Sequence, residues 1–333
     1  MHGNIQKGVR FGAALALALV LCATAALAAE TGGKRLVPVG HTVGVKLFSR
    51  GVVVVKLPEG STPARTCGLK TGDVIEACGG RTVTSTEQFQ SLLQENGTDT
   101  TELSVKRQGS PVTLSVEPER NEEGACCIGA WVRDSMAGIG TVTYYDPDTN
   151  TFGALGHGIT DGDTAALMPF GNGAILPSTV KAVKKGSCGS AGELRGEFDL
   201  TEELGQLYAN TGCGIFGTLN AACSLAEGEA LPVGDAAEGP AVIRSNISGD
   251  EVQEYAVEIL KTIPDAPDGR ELVISVTDPE LIAATGGIVQ GMSGSPILQN
   301  GQLVGAVTHV LLSDPTKGYG ISVETMLNTG AMT

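Results

Sequence analysis

The feature that most constrains this chain is a short loop around residue 293 that leads directly into a hairpin. Residues 291–296 read Gly-Met-Ser-Gly-Ser-Pro, and Asn300-Gly301 follows between two apolar runs. Asn-Gly in that setting is the strongest short-range hairpin signal, so the loop is predicted to feed a strand, a tight turn and a returning strand. The glycines expose the Ser293 hydroxyl and let backbone N–H groups converge on one point. This suits a nucleophile with an oxyanion hole; the alternative is a loop that only connects strands.

Composition favours a β-rich fold with many turns. The chain has 333 residues, of which 47 are glycine, and only 4% of its residues are aromatic. Such usage is typical of short strands and turns rather than of helical bundles. The formal net charge is −15, and an acidic surface of this kind argues against nucleic acid or anionic lipid as partners.

The first 29 residues have the pattern of an export signal. Lys7 and Arg10 precede a continuous apolar or small stretch from Phe11 to Ala29, which contains the cleavage pattern Ala26-Leu27-Ala28. We therefore expect a signal peptide at 1–29. The stretch is also close to the length needed to cross a bilayer, so an uncleaved membrane anchor is the alternative.

The cysteines do not indicate a metal site. No C-x-x-C pattern occurs, and histidines are few, so we expect neither a zinc site nor a cofactor. One or two disulfides are compatible with export, but the sequence leaves their pairing open. Most of these residues are predicted to be small buried side chains. Apart from Cys22, the cysteines are Cys67, Cys78, Cys126, Cys127, Cys188, Cys213 and Cys223.

Residues 30–118 resemble a bacterial PDZ domain. The run A-x-x-x-G-L-x-x-G-D-x-I, which marks that family, occupies Ala64–Ile75, and a helical pattern follows at Ser85–Gln94. The resemblance implies a groove between a strand and the second helix, where a peptide adds as an extra strand and its C-terminal carboxylate is held by backbone N–H groups. The carboxylate loop is then expected at Gly40, Gly44 and Val45. The alternative is a spacer or internal lid.

His157 is the predicted general base, chosen by elimination. A serine nucleophile needs a base with a pKa near neutrality, which is the property of histidine. Beyond the predicted signal only His41, His157 and His309 remain. His41 lies in the PDZ-like part, whereas His157 lies between two glycines after an apolar strand, as a loop-borne catalytic histidine should. His309, with Thr308, is either part of the core or part of a substrate pocket.

The acid that would orient His157 is the least constrained of the three predicted catalytic residues. Among the aspartates considered, only Asp278 lies at a predicted strand end shortly before Ser293. It would hold the imidazole tautomer and stabilise the imidazolium. The alternative is a helix N-cap, because Asp-Pro-Glu-Leu-Ile begins a short helical turn. The other candidates are Asp161, Asp163, Asp199 and Asp250.

Taken together, these segments resemble the sporulation stage IV protein B peptidase family. The motifs that carry the resemblance are Gly156-His157-Gly158, Thr277-Asp278-Pro279, the 287–296 loop and the stretch from Thr308 to Ile321. The resemblance implies a mostly β protein: an N-terminal PDZ-like domain, a polar boundary near Pro118, and a trypsin/chymotrypsin-like double β-barrel at 119–333. It also implies His157 as base, Asp278 as its orienter, Ser293 as nucleophile, and the N–H groups of Gly291 and Ser293 as the oxyanion hole.

The same resemblance implies a function in sporulation signalling. A serine endopeptidase of this family is expected to be exported across the forespore membrane into the intermembrane space. Limited proteolysis of a membrane signalling complex, and of itself in trans, would then activate a mother-cell sigma factor. The PDZ-like domain would bind peptides or protein C-termini. The alternatives are an inactive scaffold that only binds peptides and a general quality-control protease.

Overall fold

The chain builds most of its structure from short antiparallel strands joined by tight turns. A computed structural model describes residues 33–220 and 223–332, and from Leu36 onward the chain packs as one unit. The strands are β1 (Arg35–Pro38), β2 (Thr42–Lys56), β3 (Val74–Cys78), β4 (Arg81–Thr82), β5 (Thr101–Arg107), β6 (Ser110–Val116), β7 (Glu119–Arg120), β8 (Cys126–Cys127), β9 (Trp131–Asp146), β10 (Thr151–Ala154), β11 (Phe170–Lys184), β12 (Glu193–Phe198), β13 (Gly205–Thr211), β14 (Gly214–Leu219), β15 (Leu231–Pro232), β16 (Gly239–Ser245), β17 (Gln253–Thr262), β18 (Leu272–Val276), β19 (Pro296–Gln299), β20 (Gln302–Val310) and β21 (Lys317–Ser322). The α-helices are α1 (Pro63–Thr66), α2 (Thr86–Asn96), α3 (Pro279–Thr285) and α4 (Val323–Ala331), with a 3₁₀ turn at Ser224–Ala226.

Two six-stranded barrels form the protease-like part. In the first, the strands run in the order β2, β9, β10, β14, β13 and β11, and β11 pairs with β2 to close the ring. In the second, the closed order is β16, β17, β18, β21, β20 and β19. Closure removes unpaired strand edges and encloses an apolar interior in each barrel. The predicted double β-barrel is confirmed.

The barrel interiors come from alternating apolar residues. In β17 the burial pattern alternates strictly from Tyr255 to Ile259, as predicted for a half-buried strand. The second core contains Ile243, Ile274 and Val307, whereas the first contains Phe152 and Ile175. The hairpin predicted after the Ser293 loop is also present. It joins β19 to β20 through Asn300 and Gly301, whose φ angles of +52° and +74° suit a type I′ turn.

The PDZ-like segment has its own core. Helix α2 begins after its N-cap Ser85, where a helical pattern was predicted, and buries Phe89, Leu92 and Leu93. The aspartate of the sequence motif, Asp73, has a structural role. Asp73 is buried and accepts two hydrogen bonds from Arg107, at 2.7 and 2.8 Å, and one from the backbone N–H of Lys70. A buried carboxylate needs such partners to remain charged.

Strand β2 belongs to the PDZ-like sheet and to the first barrel at once. Its residues 52 and 53 pair with β3, whereas residues 42–48 pair with β9 on one edge and residues 43–49 pair with β11 on the other. The predicted boundary near Pro118 therefore separates the two segments along the sequence but not in space. The first barrel takes one of its six strands from before that boundary.

The predicted carboxylate loop at Gly40, Gly44 and Val45 is wrong. Val45 lies in the first barrel's core with 4% of its surface exposed, and Gly44 lies in the middle of β2. A Cβ added at Gly44 would come within 2.6 Å of the Phe198 ring. At Gly40, which has a φ of +76°, a Cβ would come within 2.6 Å of Arg244 Cβ. Close packing, rather than carboxylate binding, explains these glycines.

Two further expectations concern the export segment and the disulfides. The export segment predicted at 1–29 lies outside the described residues. Within residues 33–220 and 223–332, no helix is long and apolar enough to cross a membrane. All seven cysteines in these ranges are free thiols, so the disulfides left open by the sequence are not formed among them.

Candidate active site

Ser293 lies in a cavity between the two barrels together with two histidines. The cavity has a volume of about 520 Å³ and is lined by Ser293, His157, Thr308 and His309, with apolar side chains around them. His157 comes from the end of the first barrel's strand β10, whereas Ser293 precedes β19 of the second barrel. The Ser293 hydroxyl is half-buried and donates a hydrogen bond of 2.8 Å to the carbonyl of Thr308.

The backbone N–H groups around Ser293 are paired except at two positions. The N–H of Met292 bonds to Val289 O at 3.1 Å, and that of Gly294 bonds to Val307 O at 2.7 Å. Within the described residues, the N–H groups of Gly291 and Ser293 have no hydrogen-bond partner. Both residues line the cavity. Because backbone donors seldom stay unpaired without a reason, these two amides are suited to bind a ligand oxygen.

The four carbonyls from Gln290 to Ser293 all accept hydrogen bonds. Gln290 O accepts from the N–H of Leu194 at 2.8 Å, and Met292 O accepts from that of Ser295 at 2.9 Å. The remaining two carbonyls, of Gly291 and Ser293, are held by Thr141 of β9, through its hydroxyl at 2.7 Å and its N–H at 2.9 Å. No local pattern marks Thr141, because its partner Gly291 lies 150 positions away in the sequence.

His157 is held in one tautomer by its own loop. Its Nδ1 lies 2.9 Å from the carbonyl oxygen of Gly158. Since a carbonyl only accepts, Nδ1 carries the proton and Nε2 keeps its lone pair, as a general base requires. Burial lowers the pKa of His157 below its ordinary value of 6.5, and the bond to Gly158 O partly opposes this shift. The neutral base form therefore predominates at neutral pH.

His309 lies beside His157. The ring centroids are 5.1 Å apart and the ring planes are tilted by 39°. Burial, followed by the neighbouring His157 and Arg270, lowers the pKa of His309 to about 4, although Asp268 acts in the opposite direction. In the described structure Nδ1 of His309 and the Thr308 hydroxyl are buried without a hydrogen-bond partner. Thr308 and His309 line the cavity, where the substrate pocket was predicted, but these two atoms are buried beneath its surface.

The loop that follows His157 is fixed by two polar clusters. The Asn210 side chain accepts from the N–H of Ile159 at 2.8 Å and donates to its carbonyl at 3.0 Å. Arg133 of β9 forms ion pairs with the buried Asp161 and, at 3.0 Å, with Asp163. Asp161 and Asp163, which were candidates for the orienting acid, are therefore paired with Arg133. Asn210 was not predicted, since nothing local in its sequence marks it.

The structure does not bring Asp278 to His157. Its Oδ1 accepts from the N–H groups of Glu280 at 2.9 Å and Leu281 at 3.0 Å, and its Oδ2 accepts from that of Ala256 at 3.3 Å. Asp278 is thus the N-cap of α3, which was the alternative to a catalytic role. It is not among the residues that line the cavity. Gly158 O occupies the position at Nδ1 where an orienting carboxylate was expected.

Within residues 33–220 and 223–332, no group of three or more His, Cys, Asp or Glu side chains could hold a metal ion.

Two family models match the chain in adjacent segments. A PDZ domain model matches residues 37–117, and the model described as SpoIVB peptidase S55 matches residues 124–327. Among curated proteins, serine protease HTRA1 of Xenopus tropicalis is 35% identical over 74 residues, and that of Xenopus laevis is 34% identical over 74 residues. These matches cover 22% of this chain and 15% of each relative.

Solved structures show similar segments. The Rv3671c protease of M. tuberculosis in its inactive form is 15% identical in sequence. The match covers 59% of this chain and 84% of the protease chain, with a TM-score of 0.33. The PDZ domain of the SdrC-like protein Lmo2051 from Listeria monocytogenes is 21% identical in sequence. That match covers 25% of this chain and 87% of the PDZ chain, with a TM-score of 0.23.

The peptidase match decides the family. It extends over more than half of the chain and contains both cavity residues predicted from the sequence, His157 and Ser293, as well as Asp278. It bears out the family expected from the sequence motifs. The chain belongs to the SpoIVB peptidase S55 family.

Proposed function

We propose that this protein is a serine endopeptidase in which Ser293 is the nucleophile and His157 the general base. The observation that carries the proposal is the pair of unpaired amides, of Gly291 and Ser293, on the same cavity as a neutral imidazole. A serine hydroxyl, a base and two free backbone donors at one point form the set that acyl transfer requires.

The reaction follows from these groups. Ser293 Oγ attacks the carbonyl carbon of the scissile peptide bond while Nε2 of His157 takes its proton. The negative charge that develops on the carbonyl oxygen is held by the N–H groups of Gly291 and Ser293. When the C–N bond breaks, His157 gives its proton to the leaving amine, and an ester to Ser293 remains. Water, deprotonated by the same imidazole, hydrolyses that ester.

The resting hydrogen bond of Ser293 must break for this chemistry. Its hydroxyl donates to Thr308 O, so the O–H has to turn toward Nε2 of His157 before attack. Hydrogen bonds of catalytic groups are often misaligned in a free enzyme and tighten in the substrate complex. We propose that the peptide substrate, by binding over Thr308, drives this rotation.

The cavity supports a substrate with an apolar side chain near the scissile bond. Its wall includes Ile139, Leu155, Leu194, Val289 and Val310. Pockets of this composition favour apolar groups, with a few polar atoms to fix orientation.

We further propose a place for this activity in sporulation signalling. The enzyme would be exported across the forespore membrane into the intermembrane space, either cleaved from or anchored by residues 1–29. Limited proteolysis of a membrane signalling complex, and of itself in trans, would lead to activation of a mother-cell sigma factor. Family membership supports this proposal, as does the charged-then-apolar pattern of residues 1–29.

An inactive peptide-binding scaffold is the second candidate. The hydrogen bond from Ser293 to Thr308 O, rather than to His157, favours it. The pairing of both edges of β2 opposes it, because that strand has no free edge over residues 43–48 to receive a peptide.

Labelling of the full chain with a fluorophosphonate separates the two candidates. We expect the wild type to be labelled and Ser293→Ala not to be. Ser295→Ala is the matched control, since Ser295 lies in the same loop but its hydroxyl is fully buried. Labelling that persists in Ser293→Ala, or self-cleavage at the wild-type rate in that variant, contradicts the endopeptidase.

A further inference from the structure

Thr141 connects the two halves of the proposed active site. It is fully buried on β9, and its three polar groups each have a partner at the site. Its N–H and hydroxyl bond to the carbonyls of Ser293 and Gly291, at 2.9 and 2.7 Å. Its carbonyl accepts from the N–H of Leu155 at 3.1 Å, two residues before His157. One residue thus links the serine loop of the second barrel to the histidine segment of the first.

The bonds of Thr141 alternate with the free amides along the loop. The peptide group between residues 291 and 292 is held at both ends, by the Thr141 hydroxyl and by Val289 O. The group between residues 293 and 294 is also held at both ends, by the Thr141 N–H and by Val307 O. The N–H groups of Gly291 and Ser293 belong to the peptide groups that precede these two, and the carbonyls of those groups, of Gln290 and Met292, accept from Leu194 and Ser295. Thr141 therefore holds the peptide group that follows each free donor.

Residue 291 is held on its N-terminal side by the bond from Leu194 N–H to Gln290 O, and on its C-terminal side by the bonds at the two ends of the peptide group that follows it. Gly291 has a φ of +99°, in a region that glycine adopts readily. Without a side chain, rotation of the peptide group after Gly291 meets only a small torsional barrier. The hydroxyl of Thr141 opposes that rotation from one end, and the amide of Met292 from the other.

We propose that Thr141 is a positioning residue that keeps the Gly291 and Ser293 amides aimed at the developing oxyanion. The inference rests on the proposed function, because it assigns a role within that site. Thr141 touches no reacting atom; it acts through the carbonyls that it holds. Loss of its hydroxyl leaves Gly291 O without a donor and frees the peptide group to turn.

The test compares substitutions that separate the effect of losing the Thr141 hydroxyl from the effect of changing the side-chain volume. Thr141→Val removes the hydroxyl at nearly constant volume, whereas Thr141→Ser keeps the hydroxyl and removes only the methyl group. The matched control is Thr143→Val on the same strand, where the threonine is also fully buried but its hydroxyl has no partner. The full chain is used throughout, and each variant is assayed below its unfolding midpoint.

The readout is the second-order rate constant for fluorophosphonate labelling of Ser293. We expect Thr141→Val to lower it by about 10- to 100-fold, less than or comparable to the loss of a whole oxyanion donor. Thr141→Ser and Thr143→Val should stay within about threefold of wild type. A merely structural role would instead lower the unfolding midpoint without changing the rate of the folded protein. If Thr141→Val does not fold, Thr141→Ala compared with Thr141→Ser isolates the hydroxyl in the same way.

The outcomes for the two proposals are distinct. Wild-type protein without Ser293-dependent labelling overturns the proposed function, and the role of Thr141 with it. Labelled wild type together with an equally reactive Thr141→Val variant overturns the role of Thr141 alone. A rate loss in Thr143→Val as large as that in Thr141→Val also overturns it, because the hydrogen bond to Gly291 O would then be irrelevant.

Discussion

The imidazole rings of His157 and His309 lie with their centroids 5.1 Å apart. Two imidazolium charges at that separation would repel each other, and burial penalises each of them. For His309 these causes, with Arg270 adding to them, place the pKa at about 4. His309 is therefore neutral at neutral pH, and in the proposed mechanism the proton taken from Ser293 resides on His157.

The first prediction concerns the acid limb of activity. Burial lowers the pKa of His157 below 6.5, and no carboxylate in the described residues contacts it to oppose the shift. The rate should therefore persist below pH 6.5 and fall only as pH drops through the lowered pKa, since protonation removes the base. The measurement is the fluorophosphonate labelling rate between pH 4 and 8. A midpoint above 6.5 would indicate a carboxylate partner and contradict this arrangement.

The second prediction concerns stability at low pH. The folded-state pKa of His309 lies near 4, below its unfolded value of 6.5, so the unfolded chain binds a proton first as pH falls. The free energy of unfolding should therefore decrease between pH 6.5 and 4, by about 2 kcal/mol at pH 5 from this residue. Denaturant unfolding at pH 7 and 5 should show a smaller decrease in His309→Gln than in wild type. Equal decreases in the two proteins would refute the assignment.

The third prediction distinguishes the two roles of Asp278. As an N-cap it accepts from the amides of Glu280 and Leu281, and asparagine or serine can do the same. Asp278→Asn and Asp278→Ser should therefore label at nearly the wild-type rate. Asp278→Ala should be less stable by about 1 kcal/mol. A loss on the order of 10⁴ in rate for a folded Asp278→Asn variant would instead make Asp278 the orienting acid.

The fourth prediction compares two glycines that share a positive φ. At Gly294, with φ +96°, a Cβ would come within 2.0 Å of Thr141 O, whereas at Gly301, with φ +74°, nothing lies within 4 Å. Gly294→Ala should therefore displace β9 from the serine loop and abolish labelling. Gly301→Ala should cost only the strain of the turn, about 1 kcal/mol, and keep its activity. Similar labelling of both variants would argue against close packing at Gly294.

The sequence predicted those parts of the site that carry local signals. The Asn-Gly turn sets the hairpin that follows Ser293, and the glycines on either side of His157 mark a loop after a strand. Both side chains do lie on one cavity. At Asp278 the sequence left two interpretations, because a strand end and an N-cap have the same pattern, and the structure shows the hydrogen bonds of an N-cap.

Contacts between distant parts of the chain could not be predicted in this way. Thr141 looks like any threonine in a strand until its partners at 291 and 293 are known. The same is true of Asn210, which holds the loop after His157. Residues 42–49 lie in the segment that the PDZ domain model matches, yet they pair within the first barrel, because β2 is long enough to belong to two sheets.

The last prediction follows from the position of β2. A central strand uses its N–H groups on both edges, so a peptide cannot add to it without displacing a neighbour. The backbone amides of Val43, Val45 and Leu47 should exchange slowly with deuterated solvent, because β9 and β11 flank them. Strand β6 is the internal control: it ends its sheet and leaves one edge unpaired, so alternate amides there should exchange faster. We expect peptides with a free C-terminus, including one copied from residues 324–333, to leave exchange in β2 unchanged. Saturable binding of such a peptide, accompanied by faster exchange in β9, would show that β9 is displaced and that β2 can serve as a peptide-binding strand.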